Sequence, residues 1–218
     1  MTYVQGEISS LRNTYSEIRE EVVERLSEFR EIWESRDEHS ALLELLFCIL
    51  TPQSKAQVCW GAIEDMSCSD VLLKGDYDLV LGAVSMVRFK YKKARYLIEA
   101  RERFMKNGNI ELLSFLDGMG DPITARSYLV ENIKGLGYKE ASHFLRNIGL
   151  GRDLTILDRH ILRTLLKAGV IEEMPASLTD RRYLEIEGRM KEFSEKIDIP
   201  VEHLDVVIWY RSTGSIFK

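Results

Sequence analysis

Apolar residues recur with the period of an α-helix along almost all of this chain. Ile8, Leu11, Tyr15, Ile18, Val22, Leu26, Phe29 and Trp33 follow one another at three or four residues. That spacing puts one apolar stripe on a long first helix and leaves the acidic residues on its other face. A second segment, with Ser40 as candidate N-cap, is apolar on nearly every side from Leu42 to Leu50 and stops at Pro52, so it reads as the central helix of a core. The same periodicity predicts helices over 53–65, 77–84, 90–107, 110–116, 123–133, 138–148, 157–168, 178–197 and 201–209, with Asn107-Gly108-Asn109 ending the one that starts at residue 90. Strand-like alternation competes nowhere, and 14 Gly and 4 Pro supply few turns for a many-stranded sheet. The fold class is all-α, without an internal repeat or a flexible linker.

A chain of 218 residues, 45% hydrophobic and 30% charged, has material for a substantial core, which excludes disorder, collagen and a small disulfide scaffold. No apolar run nears the roughly 18–20 residues of a membrane span, and residues 1–13 lack the pattern of a signal peptide. The expectation is a cytoplasmic protein with no membrane contact. Cys48, Cys59 and Cys68 match neither a zinc nor an iron–sulfur spacing, so no metal and no cofactor are expected.

The formal net charge of −5 argues against a nucleic-acid partner until its distribution is counted. Residues 1–44 carry 5 Lys and Arg against 11 Asp and Glu, whereas residues 88–167 carry 16 against 9. The centre is basic and the flanks acidic. A solvated helix face would give the same run from Arg88 to Lys106, so its meaning depends on the residues beyond Lys106.

The most specific local feature is Ile133-Lys134-Gly135-Leu136-Gly137-Tyr138-Lys139-Glu140-Ala141. Two glycines one residue apart, between two helical segments, make a hairpin that can bring backbone amides against a phosphate. An ordinary turn between antiparallel helices would look similar. Lys139 follows in the first turn of the next helix, and nineteen residues later comes Asp158, in Leu157-Asp158-Arg159-His160. The plain reading of Asp158 is an N-cap.

Hairpin, lysine and aspartate in this order resemble the helix-hairpin-helix DNA glycosylases. The archaeal-type second class of 8-oxoguanine DNA glycosylase/lyase is suggested further by Leu50-Thr51-Pro52-Gln53-Ser54-Lys55-Ala56 and by the segment from Asp205 to Lys218. The resemblance spans nearly the whole chain. No Cys follows Cys68, where the endonuclease III-like branch carries a four-cysteine cluster. The resemblance implies two interlocked helical lobes with a DNA-binding cleft between them. A barrel covers 38–150 and ends in the hairpin at about 133–141, and a second lobe combines 1–37 with 151–218.

The resemblance also implies a reaction and its residues. A bifunctional glycosylase/AP lyase of base excision repair flips 8-oxoguanine out of double-stranded DNA, excises it, and cleaves the strand 3′ to the abasic site by β-elimination through a lysine Schiff base. Lys139 is the expected nucleophile. Asp158 is the expected catalytic carboxylate, stabilising an oxocarbenium-like charge across the cleft from the amine. A tight Lys139–Asp158 ion pair would impair that nucleophile. Gln53, Ser54 and Lys55 are placed at the lesion; Gly135, Leu136, Gly137, His143 and His160 on the DNA backbone; Trp209, Phe217 and Lys218 at the base. Each has a structural alternative: Gln53 at an exposed helix start, Trp209 in the core, the histidines as packing groups. 8-Oxoguanine carries an N–H where guanine has a lone pair, so a backbone carbonyl or a carboxylate at the chain end is the expected discriminator. Deleting Lys218 is expected to cost excision and little stability. A monomer is expected, nucleoid-associated when on DNA. Two alternatives stand beside this reading: the same fold acting on an oxidised pyrimidine or alkylated purine, and a non-catalytic DNA-structure-binding module.

Overall fold

A computed structural model describes residues 3–218. Among them twelve helices and one two-stranded hairpin form an all-α architecture. Helix α1 (Gln5–Glu34) carries the predicted stripe, with Leu11, Val22 and Leu26 buried. Helix α2 (Glu38–Leu50) is buried along most of its length. Its N-cap is Asp37, whose carboxylate accepts the Ser40 amide at 3.0 Å, so Ser40 is the third helical residue and the predicted cap shifts by one turn. Glu38 reaches outward instead and accepts the amides of Leu113 and Ser114 at 2.8 and 3.2 Å, capping α7 (Leu112–Asp117) from a distance.

The helix predicted from residue 53 starts later, as α3 (Ala56–Cys68), because Gln53 adopts a left-handed φ of 57° and turns the chain. Helices α4 (Val71–Lys74), too short to show a periodicity, and α5 (Tyr77–Ala83) lead to α6 (Lys90–Phe104). The prediction that α6 runs to Asn107 is corrected. Asn107 and Gly108 both have positive φ and fold Met105–Lys106 (β1) back on Asn109–Ile110 (β2), a hairpin too short to register as strand alternation. Helices α8 (Pro122–Asn132), α9 (Tyr138–Asn147), α10 (Arg159–Lys167), α11 (Asp180–Lys196) and α12 (Val201–Thr213) complete the chain.

Two apolar clusters result. One surrounds α2 and takes in α3 to α9; the other is built from α1, α10, α11 and α12. Ion pairs buried at the junction link them: Arg146 of α9 donates to Asp205 of α12 at 3.1 Å, and Arg126 of α8 pairs with Glu187 of α11. Between α8 and α9 the hairpin turns at Gly135, with φ +92°. A Cβ at Gly135 would stand 2.9 Å from Tyr96 and 3.3 Å from Ile49, so both the conformation and the space require glycine.

Candidate active site

A cavity of about 770 Å³ opens at the junction of the two clusters. Its lining includes Lys139, His143 and Arg146 from α9, Asp158, Arg159 and His160 from the start of α10, and Asp205 and Trp209 from α12. Thr51, Gln53, Ser54, Ala56 and Arg88 close one side, and Lys218 another. Cationic groups outnumber the two carboxylates, so an acidic protein carries a wall suited to phosphate. A larger groove, about 1090 Å³, runs along the outer face of α1. It is lined mainly by Glu and Ser of that single helix and would repel DNA, so size does not make it the site.

Lys139 is the second residue of α9 and its side chain is one-quarter exposed. Its amine pairs with Glu140 at 3.2 Å, an unanticipated partner, since Glu140 also accepts the Gly137 amide at 3.2 Å and so caps the helix. Asp158 is the N-cap of α10. Its Oδ1 accepts the amides of His160 and Ile161, both at 2.8 Å, and the second oxygen is left to the cavity it lines. Lys139 and Asp158 therefore stand at two helix starts that open on one cavity. Among the described residues no ion pair within 4.0 Å joins them.

Trp209 is half-buried on the cavity wall and not in the core, with His160 edge-on to it at 5.2 Å. His143 lies against Phe47 at 5.7 Å, and its Nε2 is buried without a partner. Burial, with the cations Arg146 and Lys139, pushes the His143 pKa well down, so the ring is neutral and a poor phosphate ligand. Gln53 and Ser54 line the cavity, and Lys55 does not. Their corner is held by Lys93, which donates to the carbonyls of Leu50 and Pro52, each at 2.7 Å, and to Ser54 Oγ at 3.1 Å. That lysine supplies the end of α2 with the donors its last carbonyls lack.

The hairpin lies off the cavity. Leu136 is buried and its amide bonds to the Ile133 carbonyl at 3.3 Å, while Gly137 spends its own amide on Glu140. Gly135, Leu136 and Gly137 are thus outside the lining set. Phe217, expected at the base, packs edge-on to Phe47 in the α2 cluster, 6.5 Å between centroids, and is absent from the cavity lining. Lys218 directs its ammonium to Glu44 and over the Trp60 ring, 3.3 Å from the centroid, while its main chain bonds to His143. Glu44, 2% exposed on α2, also accepts from Asn147 at 2.8 Å, and Asn147 accepts from Arg146 at 3.0 Å. A polar chain thus runs from Asp205 through Arg146, Asn147 and Glu44 to Lys218.

Sequence reasoning placed Arg88 in the basic run without a position in the site, and missed Arg146, Asp205 and Glu44. The last two are acids inside apolar helical runs, a visible signal for a buried partner. It also missed Met86 and Phe89, which are 84% and 52% exposed beside the cavity-lining Arg88. Phe89 is held there by a left-handed φ of 60°.

A helical fold with this hairpin, and a lysine and an aspartate on one cationic cavity, defines a helix-hairpin-helix DNA glycosylase. The profile of the family described as 8-oxoguanine DNA glycosylase matches residues 22–199, and the chain belongs to that family. An 8-oxoguanine DNA glycosylase/AP lyase of Fusobacterium nucleatum subsp. nucleatum is 44% identical over 210 residues, 96% of this chain and 97% of the relative. One of Methanocaldococcus jannaschii is 37% identical, covering 97% of each chain. The crystal structure of the 8-oxoguanine DNA glycosylase of Thermotoga maritima superposes with a TM-score of 0.87 at 30% identity, covering 98% of this chain and 99% of that one. The M. jannaschii glycosylase/lyase in complex with a 15mer DNA containing 8-oxoguanine gives 0.85 at 34% identity, covering 98% of both chains.

Proposed function

We propose that this protein is a bifunctional DNA glycosylase/AP lyase that excises 8-oxoguanine from double-stranded DNA and nicks the strand, with Lys139 as nucleophile and Asp158 as the charge-stabilising carboxylate. The observation that carries this assignment is that the two side chains open on one cavity without pairing with each other. The lysine amine leaves Glu140 and, once neutral, attacks the anomeric carbon. The bond from that carbon to the base breaks as the new C–N bond forms, and the base departs with a proton. The unbonded oxygen of Asp158 faces positive charge that exists only in the transition state. The sugar C1′–O4′ bond then opens as the nitrogen forms the C=N bond and O4′ takes a proton, and the resulting Schiff base acidifies the sugar C2′ proton, whose removal expels the 3′ phosphate.

Trp209 stacks on the flipped base and the main chain of Lys218 contacts its edge, while Phe217 anchors that segment and does not touch the base. Met86 and Phe89, with Gln53, fill the vacated stack, because exposed apolar side chains beside a cationic rim gain most by entering DNA. Arg88, Arg159 and His160 hold phosphates. The two clusters correspond to two lobes, 38–150 and 1–37 with 151–218, meeting at the cavity. One chain supplies every group the reaction needs, so the working unit is a monomer, acting inside the cell on the nucleoid.

The test is a panel of duplexes, each with one lesion, under single turnover. 8-Oxoguanine strands should be excised and nicked. Guanine, an oxidised pyrimidine and an alkylated purine should react about 10⁴-fold more slowly, the scale of discrimination expected where a buried polar group is left unpaired. Equal rates across the panel would reject the lesion assignment.

A further inference from the structure

The helix starts that carry Lys139 and Asp158 are bridged outside the cavity by a buried polar cluster. Arg126, on α8, is 1% exposed. Its Nη1 donates to Ser142 Oγ on α9 at 3.1 Å, and its guanidinium lies 5.1 Å from the ring centre of Tyr138, the residue before Lys139. Toward α11 it forms a two-pronged pair with Glu187, Nη1 to Oε2 at 2.6 Å and Nη2 to Oε1 at 2.9 Å. Glu187 Oε2 also accepts the amide and hydroxyl of Thr155, at 3.1 and 3.2 Å. Tyr183, one turn earlier on α11, donates its hydroxyl to the Thr155 carbonyl at 2.6 Å and accepts the Leu157 amide at 3.2 Å. The Tyr183 ring tilts against Tyr138, 5.5 Å between centroids.

These contacts pin both ends of one span. Ser142 and Tyr138 flank Lys139 on α9, and Thr155 and Leu157 are the last pinned residues before Asp158. We propose that the Arg126–Glu187 pair, with Tyr183, is a positioning device that sets the distance and bearing between Lys139 and Asp158; the inference rests on the catalytic roles proposed above. Burial alone would raise the Glu187 carboxyl, and the Arg126 guanidinium, with Lys191 and the Thr155 amide, more than offsets this and holds it below the ordinary glutamate value. Stability alone does not call for such a pair, because apolar residues of similar volume serve a core as well as a buried ion pair does. An apolar pair, however, cannot accept the Thr155 amide and so cannot hold the backbone that delivers Asp158.

The Arg126→Met/Glu187→Leu double variant separates the two roles, because it fills the same volume without leaving a charge unpaired. Melting temperature, affinity for an 8-oxoguanine duplex and single-turnover excision are measured on the full chain. The expected result is a melting temperature lowered by several degrees, because the buried Thr155 amide and hydroxyl lose their acceptor, with affinity within about threefold and excision slowed about 100-fold, the effect of misplacing reacting groups by about 1 Å. Excision within threefold of wild type, or equal losses of rate and affinity, would overturn the proposal. If the double variant does not fold, Tyr183→Phe decides: it keeps ring and ion pair but removes two bonds to the Thr155–Leu157 backbone. Excision slowed at least tenfold at unchanged affinity supports the device, and an unchanged rate overturns it. Borohydride trapping by Lys139→Gln tests the underlying roles separately; if that variant still traps DNA, it is the assignment of Lys139 that fails.

Discussion

Lys139 pairs with Glu140 and not with Asp158, although Lys139 and Asp158 line the same cavity from two helix starts. In the proposed reaction this leaves the Asp158 charge available to the transition state and not spent on the amine.

Asp158 caps a helix and is proposed to stabilise the transition state, and one substitution can separate the two. Its Oδ1 caps α10 through two amides, and removing such a cap costs about 0.5–2 kcal/mol. Asn keeps the capping oxygen and loses the charge. Asp158→Asn should therefore melt close to wild type and bind duplex normally, yet excise 8-oxoguanine orders of magnitude more slowly in single turnover. Asp158→Ala should lose both rate and several degrees of melting temperature. Near-normal excision by the Asn variant would reduce Asp158 to a cap.

Lys218 is a second place where the structure revises an expectation. Its ammonium meets Glu44, which is almost fully buried, and leaving a buried charge without its partner costs about 3–5 kcal/mol. Deleting Lys218 should therefore lower the melting temperature as well as excision. Lys218→Met retains the main chain against His143, so it should lose melting temperature alone. Comparing excision by the two variants checks this: equal losses would place the function in the ammonium.

Asp205 predicts a pH signature. Burial pushes its carboxyl up to about 7, with Arg146 opposing and Asp158 adding to the rise. The folded state therefore holds a proton that the unfolded chain, with an aspartate value near 3.8, gives up. The stabilising contribution is complete below about pH 4 and is lost as pH rises through 7. His143, pushed down by burial, has the opposite slope but is common to wild type and variant. The melting temperature of wild type minus that of Asp205→Asn should rise steadily from pH 8 to pH 5. A flat difference would place the Asp205 carboxyl in the ordinary range.

Much of the fold was legible because helices announce themselves by period. The stripe of α1 and the apolar surround of α2 needed no tertiary information. Boundaries failed where one residue decides: the left-handed turn at Gln53 and the reversal at Asn107-Gly108 leave no mark on hydrophobic spacing. Lys139 and Asp158 were visible through resemblance, as residue types at a characteristic separation. Glu140 as the lysine's partner was not, because adjacent residues on a helix do not ordinarily face each other, and the chain from Asp205 to Lys218 was not, because its contacts join residues up to 174 positions apart. Phe217 is proposed as an anchor and not a base contact, a distinction the sequence does not carry. An apolar residue next to a binding residue is indistinguishable in sequence from one that anchors it.

Binding should weaken steeply with salt despite the acidic composition, because Arg88, Arg159 and the neighbouring cations release counterions from phosphate. A log–log plot of affinity against salt with a slope near zero would reassign the basic segment to a solvated face.

Whether Lys139 attacks the sugar is decided by incubating the protein with an 8-oxoguanine duplex in the presence of borohydride. Wild type should form a covalent protein–DNA adduct stable to denaturing electrophoresis. Lys139→Gln should bind the same duplex with similar affinity and form none. An adduct formed by Lys139→Gln at the wild-type rate would show that another amine is the nucleophile.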